Sequence, residues 1–242
     1  MPVLNSSKPD MIVHGANLEN EGYGPYEDSL WLLGIEEGFG GRLERPGWTV
    51  QRELDVRATW RPTMDAREAH AALCDYYWLR KNYSRVWRNG GKLKRGIRDR
   101  AADFLDTKKA HGYVVEQLGQ PHGQTFWGEL FPLPAIDRDH WPYRSRRKDR
   151  ETYRRELWPS RRKLWRNRLD QFNPPVVICY GAVVRPFAAE LFGVREQRGL
   201  YAVTVGATRV VFAPFIGGRC RNQTLASIVE LATTRYYPLK LS

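Results

Sequence analysis

Four short runs rich in apolar residues constrain the fold of this chain more than any other feature of its sequence. They cover residues 30–35, 125–131, 176–180 and 209–213. The runs at 30, 176 and 209 are nearly continuous in apolar residues, which is typical of strands covered on both faces of a sheet. Because long helical patterns separate the runs, the sequence predicts an α/β fold, a three-layer α/β/α sandwich with a mainly parallel central sheet.

Several helices are predicted between and after these strands. Asp65 and Glu68 have the spacing of a capping box, so a helix is expected to start there. A second helical pattern covers residues 97–118, with a break expected near Asp106 and Gly119 as its stop. The remaining elements are two helices and a hairpin turn, at 185–192, 222–234 and Gly206. Since the chain shows neither an internal repeat nor a linker, it is predicted to form a single domain over residues 1–242.

The charge of the chain indicates a polyanionic partner. Lys and Arg number 39 against 27 Asp and Glu, which gives a net charge of +12 and a pI near 9.8. Such an excess of positive charge is typical of proteins that bind nucleic acid. It is concentrated in a basic helical segment at about 140–170, where residues 144–168 include 12 basic and 3 acidic side chains. Pro159 is expected to split this segment into two helices, and outward arginines such as Arg162 and Arg166 are predicted to follow DNA phosphates.

Other classes of protein are excluded by what the sequence lacks. No window approaches the roughly 18 unbroken apolar residues of a membrane span, and the N-terminus has no apolar core of a signal peptide. Three widely spaced cysteines, Cys74, Cys179 and Cys220, favour neither a disulfide framework nor a Cys-based metal cluster. We therefore expect a cytoplasmic protein without a membrane contact, and the sequence predicts no protein partner.

The first apolar run ends in a pair of acids. In "SLWLLGIEEGFGGR", residues 29–42, Glu36 and Glu37 follow the strand and precede a glycine-rich turn. Ligands bind such sheets at the carboxyl ends of the strands, but two acids would repel the phosphates that glycine turns often hold. Paired carboxylates can bind Mg²⁺, act in acid–base catalysis or stabilise a developing cation. The structural alternative is that one Glu caps a helix and the other is solvated.

Four motifs, in order along the chain, resemble the uracil-DNA glycosylase superfamily. "WLLGIEEGFGG" resembles its first strand and catalytic turn, and "FWGELFPLP" resembles the second strand, which ends in a residue that reads the base. "PPVVICYG" is similar to the third strand, and "VVFAPFIGGRCRN" to the last strand and the loop that inserts into DNA. The resemblance implies a three-layer fold and cleavage of the bond between a base and deoxyribose after the nucleotide has been flipped out.

The resemblance implies catalytic and stacking residues near the first strand. Glu36 matches the position that activates water, where a carboxylate also stabilises the oxocarbenium character of the sugar. Glu37 is a second catalytic candidate whose role stays open. Trp48 matches the aromatic residue that stacks on the base, with Phe39 as the second choice.

The last loop departs from the superfamily at one position. Many members begin this loop with a histidine that donates to the departing base, and Phe215 stands in its place. Arg219, Arg221 or backbone N–H groups before the final helix are the donors that remain. Arg219, Arg221 and Asn222 are also expected to contact the DNA backbone beside the flipped nucleotide.

Glu129 bears on the base that is removed. The superfamily commonly places an Asn here, whereas an ionised Glu can only accept hydrogen bonds and so suits N4 of cytosine. This departure fits a branch that the chain resembles, the bacterial anti-phage DNA glycosylases that excise α-glucosylated 5-hydroxymethylcytosine from double-stranded phage DNA. The resemblance implies neither a metal nor a cofactor. The candidates to line a pocket for the glucose precede the first strand: Asn17, Glu19, Tyr23 and Tyr26.

Two other functions stay open. A metal-dependent nuclease would use Glu36 and Glu37 with further acids, for which Asp55 and Glu129 are candidates, and its activity would be abolished by EDTA. A non-catalytic protein that binds DNA or RNA would leave no abasic product.

Overall fold

The structure is a computed structural model that describes residues 12–13, 16–17, 20–27, 29–38, 46–73, 84–135, 140–143 and 149–234. Phe39 and Glu19, which the sequence singles out as site residues, lie outside these ranges.

A seven-stranded sheet forms the centre of the molecule. In spatial order its strands are β5 (Thr63–Met64), β3 (Gly22–Tyr23), β6 (Thr125–Glu129), β4 (Leu30–Gly34), β7 (Val176–Tyr180), β9 (Thr208–Ala213) and β8 (Tyr201–Val205). A separate antiparallel pair consists of β1 (Ile12–Val13) and β2 (Ala16–Asn17). The four predicted strands are thus confirmed as the four central strands of the sheet.

The sheet is mixed rather than mainly parallel as the sequence predicts. The central strands β6, β4, β7 and β9 are parallel to one another, but β3 is antiparallel to β6 and β8 is antiparallel to β9. A hairpin that turns at Gly206 connects β8 to β9, and a turn this short allows only antiparallel pairing. Gly206 takes a φ of 58°, which glycine adopts without a steric cost.

Helices cover both faces of the sheet and give three layers. Those described are α1 (Val50–Arg57), α2 (Ala66–Ala72), α3 (Arg85–Ile97), α4 (Thr107–Glu116), α5 (Arg150–Phe172), α6 (Val184–Phe192) and α7 (Asn222–Thr233). One face packs with α5 and α6 around Trp31 and Trp165, and the other packs with α2, α3, α4 and α7 around Leu32 and Trp127. Within the described ranges, no helix is both long and apolar enough to cross a membrane.

The basic segment forms one helix, so the expected break at Pro159 is wrong. Helix α5 is 23 residues long and continues through this proline. Its buried face includes Tyr153 and Leu157 before the proline and Trp165 after it. Burying such side chains stabilises the helix by about 1.5–3 kcal/mol each, which together outweighs the roughly 3 kcal/mol that an internal proline costs.

The break expected near Asp106 in the helical pattern over residues 97–118 is confirmed, but the part of that pattern before Asp106 is wrong. Helix α3 ends at Ile97, and α4 begins only at Thr107. The Asp106 side chain accepts hydrogen bonds from the N–H groups of Lys108 and Lys109, and such a cap starts a new helix rather than continuing one. The expected start at Asp65 and the helices near 185–192 and 222–234 are confirmed.

Helix α5 is fixed near both ends by buried carboxylates. Near its start, Arg150 and Arg154 donate to Glu36. Near its end, Arg168 donates to both oxygens of Glu21 at 2.9 Å. Because Glu36 follows β4 and Glu21 precedes β3, this helix is tied to two strands of the sheet.

Candidate functional site

The carboxyl ends of the four parallel strands meet at one edge of the sheet. Gly34, at the end of β4, is in register with Glu129, at the end of β6. Tyr180, at the end of β7, is in register with Ala213, and Phe215 follows two residues later. The Glu36–Glu37 turn and the loops that follow β6 and β9 therefore share this edge, which we call the rim.

Glu36 is held by α5. Its two side-chain oxygens accept hydrogen bonds from Arg150 Nε and Arg154 Nε, both at 2.7 Å. The carboxylate has no exposed surface. A buried carboxylate between two guanidinium groups has its charge compensated and its position fixed. The structure therefore places Glu36 in an ion-pair cluster beneath the rim.

Glu37 points to other partners and remains partly open. Its carboxylate accepts hydrogen bonds from the Tyr23 hydroxyl at 2.5 Å and from Arg57 at 2.8 Å, and 14% of its side chain is exposed. Arg57 also donates to the buried Glu53 at 3.0 Å. Although burial opposes its charge, the neighbouring Glu37 and Glu53 raise the pKa of Arg57, so it stays a cation. Glu37 is thus an oriented carboxylate at the rim.

Glu129 is the buried acid of the rim. It is 8% exposed, and among the described residues its Oε2 atom has no hydrogen-bond partner. A Cβ atom on Gly34 would lie 2.4 Å from this oxygen and 2.5 Å from the Tyr180 hydroxyl. Both polar groups therefore lie over Gly34, in space that only a glycine leaves open.

The surroundings of Glu129 favour its neutral form. Burial raises the pKa of this carboxyl well above its usual range, and the negative charges of Glu37 and Glu36 raise it further. Arg57 opposes them. A neutral carboxylic acid can donate a hydrogen bond as well as accept one. The environment thus favours a neutral acid over the ionised acceptor expected from the sequence.

An aromatic wall continues from Glu129 to the surface. Trp127 Nε1 donates to the Tyr180 hydroxyl at 2.8 Å, and Trp87 stacks on Trp127 with ring centroids 5.5 Å apart. Burial and the nearby Glu129 raise the pKa of Tyr180, so it remains a phenol. The Phe215 ring centroid lies 6.4 Å from that of Tyr180, and Phe215 is 56% exposed. A large apolar ring exposed beside buried polar groups is typical of a surface that binds a partner.

The predicted DNA-contacting loop lies next to this wall. Arg219 and Arg221 are exposed, and Asn222 begins α7. The Asn222 Oδ1 atom accepts a hydrogen bond from Lys92 of α3 at 3.1 Å. The loop is therefore anchored on α3 while its two arginines face solvent.

Trp48 lies in the core rather than at the rim. It is 7% exposed, its Nε1 donates to Glu53 at 3.0 Å, and the guanidinium of Arg52 lies 4.7 Å from the centre of its ring. No open ring face is therefore offered to a base. Tyr23, an expected sugar-pocket residue, instead holds Glu37, and Tyr26 donates to Glu21.

Arg162 and Arg166 are not brought to the rim. Arg162 pairs with Glu190 of α6 at 3.0 Å. Both arginines line a groove of about 500 Å³ between α5 and α6, which also contains Asp170 and Glu190. Because α5 starts at the rim and ends near the opposite edge of the sheet, its arginines fall into two groups with different surroundings.

Sequence reasoning missed several residues of the rim. Arg57, Arg150 and Arg154 reach it from helices. The last two belong to the predicted basic segment, but its sequence pattern does not show that they turn toward the sheet. Arg161 donates to the backbone carbonyls of Glu129 at 2.9 Å and of the next residue at 2.8 Å, so it fixes the end of β6. Tyr180 had a signal, because it is the last residue of a predicted strand.

Within the described residues, no group of three or more His, Cys, Asp or Glu side chains gathers as metal ligands would. A scan against protein-family models gives no match for this chain, and neither does a search of curated proteins.

Proposed function

We propose that this protein is a DNA glycosylase, which flips out and excises a modified pyrimidine and leaves an abasic site. The observation that carries the proposal is the pair of unlike carboxyl groups at the rim. Glu37 is oriented by an ion pair, and Glu129 is buried with an oxygen that has no partner among the described residues. A flipped base supplies the polar edge that such a buried oxygen requires.

The chemistry of base excision suits this arrangement. As the bond between C1′ and the base breaks, the sugar gains oxocarbenium character and the base gains electron density. A carboxylate beside C1′ stabilises the cation and orients the attacking water. Glu37 is the better placed of the two predicted catalytic acids, because both oxygens of Glu36 are bound by arginines.

The surface around the rim supports DNA as the partner. The exposed Phe215 offers a ring to an unstacked base, and Arg219 and Arg221 offer charge to the flanking phosphates. The net charge of +12 favours the same partner.

Among modified pyrimidines we propose α-glucosyl-5-hydroxymethylcytosine of phage DNA, which makes the activity one of anti-phage defence. This choice rests on the resemblance of the motifs.

The test is direct observation of a released base. Duplexes that contain uracil, cytosine, 5-hydroxymethylcytosine or its α-glucosylated form are incubated with the protein and with E37Q, and the small molecules are identified by mass spectrometry. We expect a glucosylated base from one duplex and much less from E37Q. Release of uracil alone would contradict the substrate, and release of no base from any duplex would contradict the glycosylase.

The same reactions carried out with EDTA test the nuclease. Strand cleavage that EDTA abolishes would favour it, but Arg150 and Arg154 beside Glu36 would repel a divalent cation. Binding without any product would favour the non-catalytic alternative.

A further inference from the structure

The two acids of the rim differ in what holds them. Glu37 has a cation and a phenol as partners, whereas the Oε2 atom of Glu129 has no partner in the described part of the chain. When neighbouring carboxyl groups are driven toward opposite protonation states, one commonly acts as an acid and the other as a charged stabiliser or base. Phe215, the exposed ring beside Tyr180, cannot donate a proton to a departing base, whereas a neutral Glu129 can.

We propose that Glu129 is the general acid of base excision and protonates N3 of a cytosine-type base as its bond to C1′ breaks. This role rests on the proposed function and adds to it the residue that activates the leaving base. It also extends the part that the sequence gives Glu129, because the same carboxyl then both reads and protonates the base.

The step balances as follows. The Glu129 O–H proton moves to N3, the C1′–N1 bond breaks, and its electron pair remains on the base, which leaves neutral. A water oxygen forms a bond to C1′, and the proton that this water loses moves to the Glu37 carboxylate. That proton returns through solvent to the Glu129 carboxylate. The net change is hydrolysis of one N-glycosidic bond.

The charged and titratable groups around Glu129 are consistent with this role. The turn after β4 contributes the charges of Glu37 and Glu36, α1 contributes Arg57, and β7 contributes the Tyr180 phenol. Burial and the two carboxylates raise the pKa of Glu129, and Arg57 opposes them. The acid is therefore protonated in a pH range where an exposed carboxyl is ionised.

The chemistry also distinguishes cytosine from uracil. N3 of cytosine has a lone pair that can take the proton, while N4 donates to the carbonyl oxygen of the same carboxylic acid. Uracil has a hydrogen on N3, so the proton cannot go there. Preference for cytosine-type bases thus comes from proton transfer and does not require an ionised Glu129.

The first experiment compares single-turnover excision by the parental protein and by E129Q between pH 5 and 9, on the α-glucosyl-5-hydroxymethylcytosine duplex. An amide keeps the shape and accepts hydrogen bonds but has no acidic proton. We expect E129Q to be about 10²–10⁴-fold slower, with DNA affinity changed far less. The parental rate should fall as pH rises through the pKa of Glu129, and E129Q should lack this fall. E116Q, the same change on the exposed end of α4, is the matched control.

The second experiment replaces N3 of the substrate base by C–H. If Glu129 acts through N3, this base should be as slow with the parental protein as the natural base is with E129Q. Combining both changes should slow the reaction little further, because each removes the same proton transfer.

The outcomes separate this role from the function on which it rests. If the parental protein releases no base, both fail. If it releases base and E129Q keeps the rate within about threefold, or keeps the alkaline fall, the acid role fails and the glycosylase stands. A loss that lies wholly in DNA binding would also overturn the acid role and leave Glu129 as a reader of the base.

Discussion

Glu36 and Glu37 are neighbours in the chain but belong to two different regions of the rim. Glu36 turns toward α5, where two arginines bind its oxygens and no part of its carboxylate is exposed. Glu37 turns toward Arg57 of α1, where its charge acts on Glu129 and its side chain is partly exposed. Adjacent residues leaving a strand point to opposite faces, so a pair of acids at a strand end supplies one group to each side. The Glu36 side binds α5 to the sheet, and the Glu37 side contains the partly exposed carboxylate to which we assign chemistry.

The strongest test of this comparison is the pair E37Q and E36Q. We expect E37Q to slow base release about 10²–10⁴-fold, because in the proposed mechanism this carboxylate stabilises the sugar cation and would lose its charge. Rates are measured in single-turnover reactions at a temperature where both variants are folded. If E36Q lost the activity and E37Q retained it, the two roles would be exchanged, as the resemblance of the motif implies.

The stability of E36Q tests the other half of the comparison. Removing the charge leaves Arg150 and Arg154 without their buried partner, which should lower the free energy of unfolding by about 3–5 kcal/mol. Chemical denaturation measures it. The control is E68Q, whose pair with Arg61 is exposed and should contribute only about 0–1 kcal/mol. Equal effects of the two variants would show that Glu36 is not a structural anchor.

The pH dependence of stability sharpens the difference between Glu129 and its neighbours. Folding raises the pKa of Glu129, so its effect on the free energy of unfolding does not change with pH below the usual pKa of a carboxyl. As pH rises from there toward the pKa in the folded state, the stability of the protein falls. Each tenfold decrease in the acid dissociation constant of Glu129 on folding corresponds to about 1.4 kcal/mol of stability. E129Q should therefore gain stability over the parental protein as pH rises, measured as thermal midpoints from pH 4 to 9. A constant difference across that range would contradict a raised pKa.

The smallest expected effect concerns the surface beside the open region. R219A and R221A should each lower the slope of log affinity against log salt by about one, because each removes one phosphate contact. R166A is the control, since the structure places this residue in the groove between α5 and α6. Fluorescence anisotropy on a duplex at several salt concentrations gives the slopes. If R166A alone lowered the slope, DNA would bind at the groove between α5 and α6 rather than at the loop with Arg219 and Arg221.

The sequence predicts the central strands of this fold well because strands buried on both faces consist of continuous apolar residues, a pattern that is visible locally. Strands β4 and β7 are covered on both faces, and their continuous apolar residues show it. Parallel strands then place Gly34 and Glu129 at one rim without further information. The helix through Pro159 could not be predicted, because the packing that outweighs the proline comes from residues distant in the chain.

The candidate site is predictable only in part, for a similar reason. The residue types at the strand ends can be read from the sequence, but their protonation and exposure depend on side chains that arrive from elsewhere. Arg57 and Arg154 decide which acid is neutralised, and neither is marked by a motif. Trp48 matches a stacking position by alignment, yet its indole N–H is already used inside the core.

The two ion-pair anchors of α5 have a mechanical consequence. Arg154 and Arg168 are attached to Glu36 and Glu21, and they are separated by about 21 Å along the axis at a rise of about 1.5 Å per residue. A helix bound at two such points resists both sliding and tilting relative to the sheet. The cations on its outward side therefore keep a fixed spacing, while the loop with Arg219 and Arg221 is bound to α3 by hydrogen bonds from Arg85, Asn89 and Lys92.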